Sequence, residues 1–319
     1  MTSCRTTGLI LFLSLVIGVA ASVSQFSWAE GRDSAGAFVF GGLRRTFLIH
    51  VPPLQGPHQP VPLVLALHGG GGNARRMVNL TQGGFNRLAD RDGFIVVYPD
   101  GVRHVWNDGR ESLSPDQKEI DDVGFLCALI DTIAARFPVD AHRVYATGIS
   151  NGSQMSARLA FEASGRFAAV GLVAHSMLES AARWPPPAHP VSVLIMTGTD
   201  DPLVPWNGGV RSLLGLKELD SVLPVRKTVE YWVGLDGCAQ NPIVRVEPDT
   251  DPADKTRVRT EFFSGGREGT EVVFEMIQGG GHTWPGGMQY LPTRLVGRTC
   301  RDINACDVIW AFFQGHRRN

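Results

Sequence analysis

A serine flanked by glycines is the residue whose surroundings most clearly suggest chemistry. Ser150 lies in Gly148-Ile149-Ser150-Asn151-Gly152, between an apolar run at residues 143–147 and a segment with apolar residues at helical spacing. A strand that turns sharply through two glycines into a helix would expose the serine hydroxyl above the positive end of that helix. The alternative is a chance Gly/Ser turn, but this context favours a nucleophile. We therefore predict that Ser150 attacks an acyl group.

A serine hydroxyl is a weak nucleophile until a neighbouring imidazole accepts its proton. His282 follows a predicted strand at residues 271–277 through three glycines, which would let its ring reach back over Ser150. His175 also follows a strand-like run, but it precedes the acidic candidates, and the expected order is Ser, Asp or Glu, His. We predict His282 as the base. The other histidines that we considered lie before the serine, in a proline-rich loop or in the tail: His68, His189 and His316.

The acid that orients the histidine is expected on another loop after a strand. Asp200 and Asp201 follow the apolar run at residues 191–197 and stand between Ser150 and His282 in the chain. One carboxylate can bind the imidazole while the other caps the turn. From the residues alone, both assignments remain open.

A glycine-rich segment suggests where the oxyanion of an acyl-transfer reaction would bind. His68-Gly69-Gly70-Gly71-Gly72-Asn73 follows the apolar run at residues 61–67. Only a bare backbone can approach a tetrahedral intermediate closely. We predict the backbone N–H groups of Gly70 and Asn151 as donors, with Gly69 or Gly71 possible in place of Gly70. Nucleotide binding is disfavoured because the loop lacks the Gly-Lys-Ser/Thr and Gly-x-Gly-x-x-Gly patterns.

The elements that must position these residues alternate along the chain. Short apolar runs alternating with amphipathic segments predict an α/β fold with a mostly parallel central sheet and helices on both faces. In such sheets ligands bind at the carboxyl ends of strands, where the candidates above fall. The predicted strands are 47–51, 61–67, 94–98, 143–147, 168–174, 191–197 and 271–277, and the predicted helices are 84–92, 121–137, 153–163, 225–235 and 303–313.

The amino terminus resembles an export signal. Arg5 precedes an uncharged run at residues 8–23, and Ser27-Trp28-Ala29 provides a small-residue cleavage pattern. An uncleaved anchor and a buried helix are the alternatives, but the run is shorter than the ~20 residues that span a bilayer. We predict a signal peptide at residues 1–29, a single domain at residues 30–319, and a secreted or periplasmic protein without stable membrane insertion.

The composition of the chain disfavours some classes of binding partner. The formal net charge of −1 and the absence of a basic-aromatic stripe disfavour nucleic-acid binding. Cys127 is expected to be a buried thiol, whereas Cys300 and Cys306 could close a short disulfide loop, or Cys238 could pair with one of them. Cysteine and histidine spacing does not favour zinc. We expect no metal or cofactor, and we expect the partner to be a small-molecule, oligomeric or polymeric ester. The sequence does not indicate an oligomeric state.

As a set, these motifs resemble the secreted polyhydroxybutyrate depolymerase and feruloyl esterase family. The resemblance implies the α/β-hydrolase fold, a Ser-Asp-His triad, and hydrolysis of hydroxycinnamoyl or short-chain hydroxyalkanoate esters. It assigns the acid to Asp201, through the family's Gly-Thr-x-Asp-Pro pattern. The matching segments are Leu67-His-Gly-Gly-Gly, Tyr98-Pro-Asp-Gly, Trp106-Asn-Asp-Gly, Val123-Gly-Phe, Arg143-Val-Tyr-Ala-Thr-Gly-Ile-Ser-Asn-Gly, Gly198-Thr-Asp-Asp-Pro, Gly280-Gly-His-Thr-Trp-Pro-Gly-Gly and Ile303-Asn-Ala-Cys-Asp-Val-Ile-Trp-Ala-Phe-Phe.

The chain departs from the family pattern in two places, of which the second bears on the expected substrate. The chain lacks the cysteine that family members often carry after the His-Gly of the oxyanion loop. It also shows no Thr/Ser-rich linker or separate substrate-binding domain, which favours soluble or short-chain esters over solid polymer.

Trp106 and Trp284 are candidate substrate contacts, because a flat aromatic ring suits an aryl ester; the alternative is that both rings only pack the loops. Rival functions are a serine peptidase with the same triad, a lipase that would need an apolar lid, and a non-catalytic binding protein on a hydrolase fold.

Overall fold

Uninterrupted apolar runs form the middle of one large sheet. The computed structural model describes residues 32–53, 59–213 and 217–318, with all side chains in these ranges except those of residues 32 and 212–219. The predicted signal peptide at residues 1–29 lies outside the described residues. The strands are β1 (Arg32–Phe40), β2 (Leu43–Val51), β3 (Val61–Leu67), β4 (Ile95–Pro99), β5 (Val139–Ile149), β6 (Ala169–Val173), β7 (Ser192–Gly198), β8 (Gly209–Leu213), β9 (Lys217–Val222), β10 (Ile243–Val246), β11 (Arg257–Phe263) and β12 (Val272–Gln278).

The sheet has the order β1-β2-β4-β3-β5-β6-β7-β12-β11-β10. The six strands from β4 to β12 run parallel, and antiparallel strands flank them at both edges. Because the six central strands are parallel, their carboxyl ends meet at one edge. The prediction of a mostly parallel sheet is confirmed.

Helices cover both faces of the sheet, as predicted. The helices are α1 (Ala74–Leu80), α2 (Gly84–Asp92), α3 (Pro115–Lys118), α4 (Asp122–Ala134), α5 (Asn151–Glu162), α6 (Val225–Asp236), α7 (Thr293–Val296) and α8 (Ala305–Gln314). Leu63, Leu65 and Leu67 of β3 pack with α4, α5 and α6, whereas Val64 and Ala66 pack with α1, α2 and α8 on the other face. This alternation follows from the two-residue period of a strand. No helix in the described part of the chain has the length and apolarity needed to cross a bilayer.

Several elements were not predicted. β1 pairs with β2 through a turn at Gly41 and Gly42, both with positive φ, and β10 is an edge strand with every residue exposed. Edge strands pair on one side only and need no continuous apolar run, so the sequence pattern that marks central strands is missing. The β8–β9 hairpin forms a separate two-stranded sheet, and it too went unpredicted.

The cysteine pairing considered from the sequence was wrong. Cys127, Cys238, Cys300 and Cys306 are all free thiols. Burial raises the pKa of Cys238 to about 11 and that of Cys306 to about 12, so both stay protonated near neutral pH. A six-residue separation made a Cys300–Cys306 bridge plausible, but burial in the packed core keeps these side chains as small apolar groups instead.

Candidate functional site

Ser150 stands at a strained turn between β5 and α5. Its backbone has φ 57° and ψ −116°, a conformation that costs free energy for a residue with a side chain. The Ser150 N–H donates to the carbonyl of Val173 on the adjacent strand β6 at 3.0 Å, which fixes the turn against the sheet. The turn lifts Ser150 out of the sheet at the carboxyl edge, half-buried rather than enclosed.

The two glycines of this turn are required by close packing. A Cβ on Gly148 would lie 2.6 Å from the carbonyl carbon of Gly152, and a Cβ on Gly152 would lie 2.4 Å from the carbonyl oxygen of Leu67. Real Cβ contacts are not this short. The pattern Gly-x-Ser-x-Gly is therefore the local sequence that lets β5, the serine turn and α5 pack against β3.

Asp201 and His282 form a hydrogen-bonded pair at the same edge. His282 Nδ1 lies 2.7 Å from Asp201 Oδ2, and both side chains are buried. Since an ionised carboxylate only accepts, Nδ1 carries the proton, and Nε2 is the ring nitrogen that remains for a proton transfer. The other oxygen, Oδ1, accepts from the N–H groups of Leu203 and Val204, each at 2.8 Å.

The loops that carry this pair are joined to each other. The Asp200 N–H donates to the carbonyl of Gly280 at 2.9 Å, so the loop after β7 is fixed to the loop after β12. The carbonyl of His282 accepts from the Tyr290 hydroxyl at 3.0 Å. The Asp200 side chain is exposed and accepts only from Thr199 within the described residues. The structure thus brings His282 together with Asp201 and not with Asp200.

The glycine-rich loop after β3 lies directly against the serine turn. A Cβ on Gly69 would be 3.7 Å from the Cβ of Ser150, and one on Gly70 would be 3.8 Å from the Cβ of Asn151. The Gly71 N–H donates to the carbonyl of His104, which removes Gly71 as an alternative donor. Within the described chain, the backbone N–H groups of Gly70 and Asn151 donate none of the backbone hydrogen bonds that form outside the helices and strands. The role of these two as oxyanion donors stays a prediction.

A hydrogen-bond network that the sequence did not reveal holds this loop and the turn together. The Asn151 side chain accepts from the N–H of Trp106 at 2.8 Å and donates to Asp108 at 2.7 Å. The Trp106 indole donates to the carbonyl of His68 at 2.9 Å. Burial lowers the pKa of His68, whose Nε2 accepts from the N–H of Gly101 at 3.0 Å. His68 is therefore a neutral structural residue of the loop.

Both tryptophans predicted as substrate contacts are completely buried. Trp106 stacks near the His68 ring, with centroids 4.9 Å apart. Trp284 packs edge-to-face on Phe85, with centroids 6.1 Å apart, in the core on the α1, α2 and α8 side. Packing was the alternative interpretation of these rings, and contact with substrate stays a prediction.

His175, which chain order disfavoured as the base, lies near the turn but in a different role. Its Nδ1 lies 3.2 Å from the Ser153 hydroxyl, and Ser153 donates to the carbonyl of Ser150 at 2.6 Å. Burial lowers the pKa of His175 to about 3, so the ring is neutral. It supports the first turn of α5 through Ser153.

Comparisons with known proteins connect this geometry to ester chemistry. The family described as "Esterase PHB depolymerase" matches residues 46–188. The protein named "Putative esterase NocK" from Nocardia uniformis subsp. tsuyamanensis is 32% identical over 311 residues, covering 93% of this chain and 88% of that protein. "Feruloyl esterase B" from Piromyces equi is 27% identical over 202 residues, and the matched part covers 61% of this chain and 35% of that enzyme.

Solved structures show which fold the sheet belongs to. The acetyl xylan esterase from Aspergillus awamori superimposes with a TM-score of 0.51 at 16% identity, covering 75% of this chain and 89% of that one. At this identity the likeness shows the fold alone, which is the α/β-hydrolase fold.

Proposed function

The chain belongs to the esterase family of PHB depolymerases and feruloyl esterases and is a carboxylic ester hydrolase; from this premise we propose that it is a secreted serine esterase with Ser150, His282 and Asp201 as its triad. The observation that carries the proposal is the 2.7 Å contact between His282 and Asp201 at the sheet edge where Ser150 occupies a strained turn. The three residues follow in the order expected for this fold.

The first half-reaction forms an acyl-enzyme. His282 Nε2 takes the proton of the Ser150 hydroxyl as its oxygen attacks the ester carbonyl. The negative charge that develops on the carbonyl oxygen is held by the N–H groups of Gly70 and Asn151. Asp201 stabilises the imidazolium, which then gives its proton to the departing alcohol.

The second half-reaction releases the acid. His282 removes a proton from water as the water oxygen attacks the acyl-enzyme carbonyl, and the same two N–H groups hold the second oxyanion. Collapse of this intermediate returns the proton to Ser150 and frees the carboxylic acid. No bound group beyond these side chains enters either step.

The proposed substrates are hydroxycinnamoyl esters or short-chain hydroxyalkanoate esters. The names of the family and of the Piromyces relative support these two classes. Comparing kcat/KM for methyl ferulate, p-nitrophenyl butyrate and hydroxybutyrate oligomers distinguishes them. A preference for aminoacyl anilides over all three esters would instead favour a peptidase.

Ser150→Ala tests the nucleophile. We expect turnover of p-nitrophenyl butyrate to fall to background while the circular dichroism spectrum stays that of the wild type. Ser156→Ala is the matched control, because Ser156 lies on the same helix and its buried hydroxyl donates only to the carbonyl of Gly152. Retained activity in Ser150→Ala would reject the proposed mechanism.

The proposal includes export of a single catalytic domain that spans residues 30–319. Expression of the full chain in a bacterial host with amino-terminal sequencing of the exported protein tests it. We expect the mature chain to begin at Glu30, and a mature chain that retains residues 8–23 would contradict cleavage.

A further inference from the structure

Trp106 contacts both of the segments that carry the proposed oxyanion donors. On one side its indole Nε1–H donates to the carbonyl of His68 at 2.9 Å, at the start of the glycine-rich loop. On the other side its backbone forms two hydrogen bonds with the Asn151 side chain, since its N–H donates to Oδ1 at 2.8 Å and its carbonyl accepts from Nδ2 at 3.1 Å. Trp106 is completely buried, so water does not compete for these bonds. A single residue therefore joins the loop of Gly70 to the turn of Ser150.

The Asn151 side chain is held in one orientation. Its Oδ1 can only accept and its Nδ2 can only donate, and the partners on each side match this polarity. Besides the carbonyl of Trp106, Nδ2 donates to Asp108 Oδ2 at 2.7 Å, so both of its hydrogens are used. The side chain is buried, and its rotation would leave these groups without partners where water does not reach them. The hydrogen bonds thereby fix the first residue of α5, whose backbone N–H is one of the proposed donors.

The backbone that follows this tryptophan is itself anchored, which a bridge between two segments requires. The Asn107 N–H donates to Asp122 Oδ2 at 2.7 Å, and the Asp122 carboxylate forms a buried ion pair with Arg45 at 2.6 Å. The Asn107 side chain donates to the carbonyls of Lys118 and Ile120 at 2.8 and 2.9 Å. These contacts reach the first turn of α4 and strand β2. The bridge therefore has supports of its own, outside the glycine-rich loop and the serine turn.

Oxyanion donors act only within a narrow range of distance. Each must lie about 2.7–3.1 Å from the developing oxyanion, and the loss of one donor costs roughly 10²- to 10³-fold in kcat. We propose that Trp106 is a positioning residue that sets the separation between the N–H groups of Gly70 and Asn151. In this role the ring acts through the His68 carbonyl, in place of the substrate contact that the sequence suggested. This inference rests on the proposed serine esterase function and identifies what holds its oxyanion hole in shape.

Trp106→Phe removes the indole N–H and keeps a buried aromatic ring and both backbone hydrogen bonds to Asn151. A displacement of about 1 Å in a catalytic group costs on the order of 10²-fold, so we expect kcat for p-nitrophenyl butyrate to fall roughly 10- to 100-fold with KM within about twofold. Trp232→Phe is the matched control, because Trp232 is also completely buried and its indole N–H has no partner among the described residues. The control should keep the wild-type kcat.

The affinity for a transition-state analogue separates positioning from a loss of folded protein and from a substrate contact. A trifluoromethyl ketone adds to the serine and places an oxyanion between the two donors. Its Ki in Trp106→Phe should rise by the same factor as kcat/KM falls, whereas the Ki of the product butyrate should not change. The loss of kcat should also be equal for methyl ferulate and p-nitrophenyl butyrate. An unchanged Ki of the ketone, or a raised KM for methyl ferulate alone, would overturn the proposal.

The two levels of the proposal fail differently. Failure of the wild type to cleave any ester, or full activity in Ser150→Ala, would reject the esterase mechanism itself. An active wild type in which Trp106→Phe matches Trp232→Phe in kcat, KM and the Ki of the ketone would reject only the positioning role, and would mean that the indole hydrogen bond serves packing alone.

Asn151→Ala tests the other end of the bridge, because it removes the side chain and keeps the backbone N–H that donates to the oxyanion. We expect kcat to fall as in Trp106→Phe. Because both changes release the same separation, the double variant should lose little more than either single variant; losses that multiply would mean that the two contacts act independently, and would contradict the bridge. If Trp106→Phe does not fold, Asn151→Ala decides the question, and wild-type values of kcat and of the ketone Ki in that variant would overturn the proposal.

Discussion

Asp200 and Asp201 are neighbours in the chain with different surroundings. Asp201 is 7% exposed and bridges His282 to two backbone N–H groups, whereas Asp200 faces solvent. Its three hydrogen bonds fix the orientation of the Asp201 carboxylate, so that it can hold one imidazole tautomer. Solvent screens the charge of Asp200, and in the described part of the chain its side chain accepts a hydrogen bond only from Thr199.

Asp201→Asn should therefore lower kcat for p-nitrophenyl butyrate by about 10³- to 10⁴-fold, because the amide favours the wrong tautomer and does not stabilise the imidazolium. Asp200→Asn is the matched control and should stay within about twofold of the wild type. Steady-state kinetics of the two variants decide whether Asp201 or Asp200 is the acid of the triad. A larger loss in Asp200→Asn would reassign the acid.

At this scale the sequence placed Ser150, His282 and the Asp200–Asp201 pair directly after predicted strands, and only the family resemblance chose Asp201 over Asp200. It did not predict the side-chain network of Asn151 with Asp108, whose partners are 43 residues apart. Such contacts depend on how loops that follow different strands pack against each other in three dimensions. The spacing of residues along the chain does not indicate that packing.

At the serine turn, the close packing of α5 against β3 determines which residue types fit. Gly152 is the second residue of α5, and its α-carbon packs against the backbone of β3 with no room for a methyl group. The close approach of these two elements places the glycine-rich loop after β3 beside Ser150.

Gly152→Ala should destabilise the protein by roughly 1–3 kcal/mol through overpacking and should lower activity by displacing the glycine-rich loop. Gly234→Ala is the control, because Gly234 is exposed within α6 and a Cβ there would meet no atom within 4 Å. That substitution should stabilise by about 0.5–1 kcal/mol through helix propensity. Urea unfolding measures both, and a tolerated Gly152→Ala would contradict the packing at the turn.

Sequence patterns succeeded for elements in the centre of the sheet and failed at its edges. Strands β3 to β7 and β12 are apolar on both faces, so each appears as a continuous run. α1 was missed because it is only seven residues long, and its start depends on a cap in which the N–H of Arg76 donates to the Asn73 side chain.

At the scale of the whole molecule, buried ionisable groups connect stability to pH. Asp236 ends α6 and is completely buried. Burial raises its pKa to about 7. Between pH 4 and pH 7 the folded protein holds a proton that the unfolded chain has released, so stability falls as pH rises through this range.

Asp236→Asn should remove this dependence. The shift corresponds to roughly 4 kcal/mol, so the variant should gain up to that amount over the wild type at pH 8 and little at pH 4.5. Asp131→Asn is the control for losing a charge, because that carboxylate is 65% exposed. Urea unfolding at the two pH values measures the difference, and an equal gain at both would contradict a buried, protonated Asp236.

The free cysteines give a second prediction for the whole molecule. A chain that begins at residue 30 should titrate four thiols in denaturant, and dithiothreitol should leave its Tm unchanged. A Tm that falls by several degrees on reduction would show that a disulfide stabilises the fold.

The central claim is that Ser150 is the nucleophile of this esterase, and covalent labelling tests it most directly. A fluorophosphonate reacts only with a serine whose hydroxyl is activated by a neighbouring base, and peptide mass spectrometry locates the adduct. We predict complete loss of activity together with a single adduct on Ser150, and no adduct in Ser150→Ala. An adduct on Ser153, or full labelling of Ser150→Ala, would contradict the account.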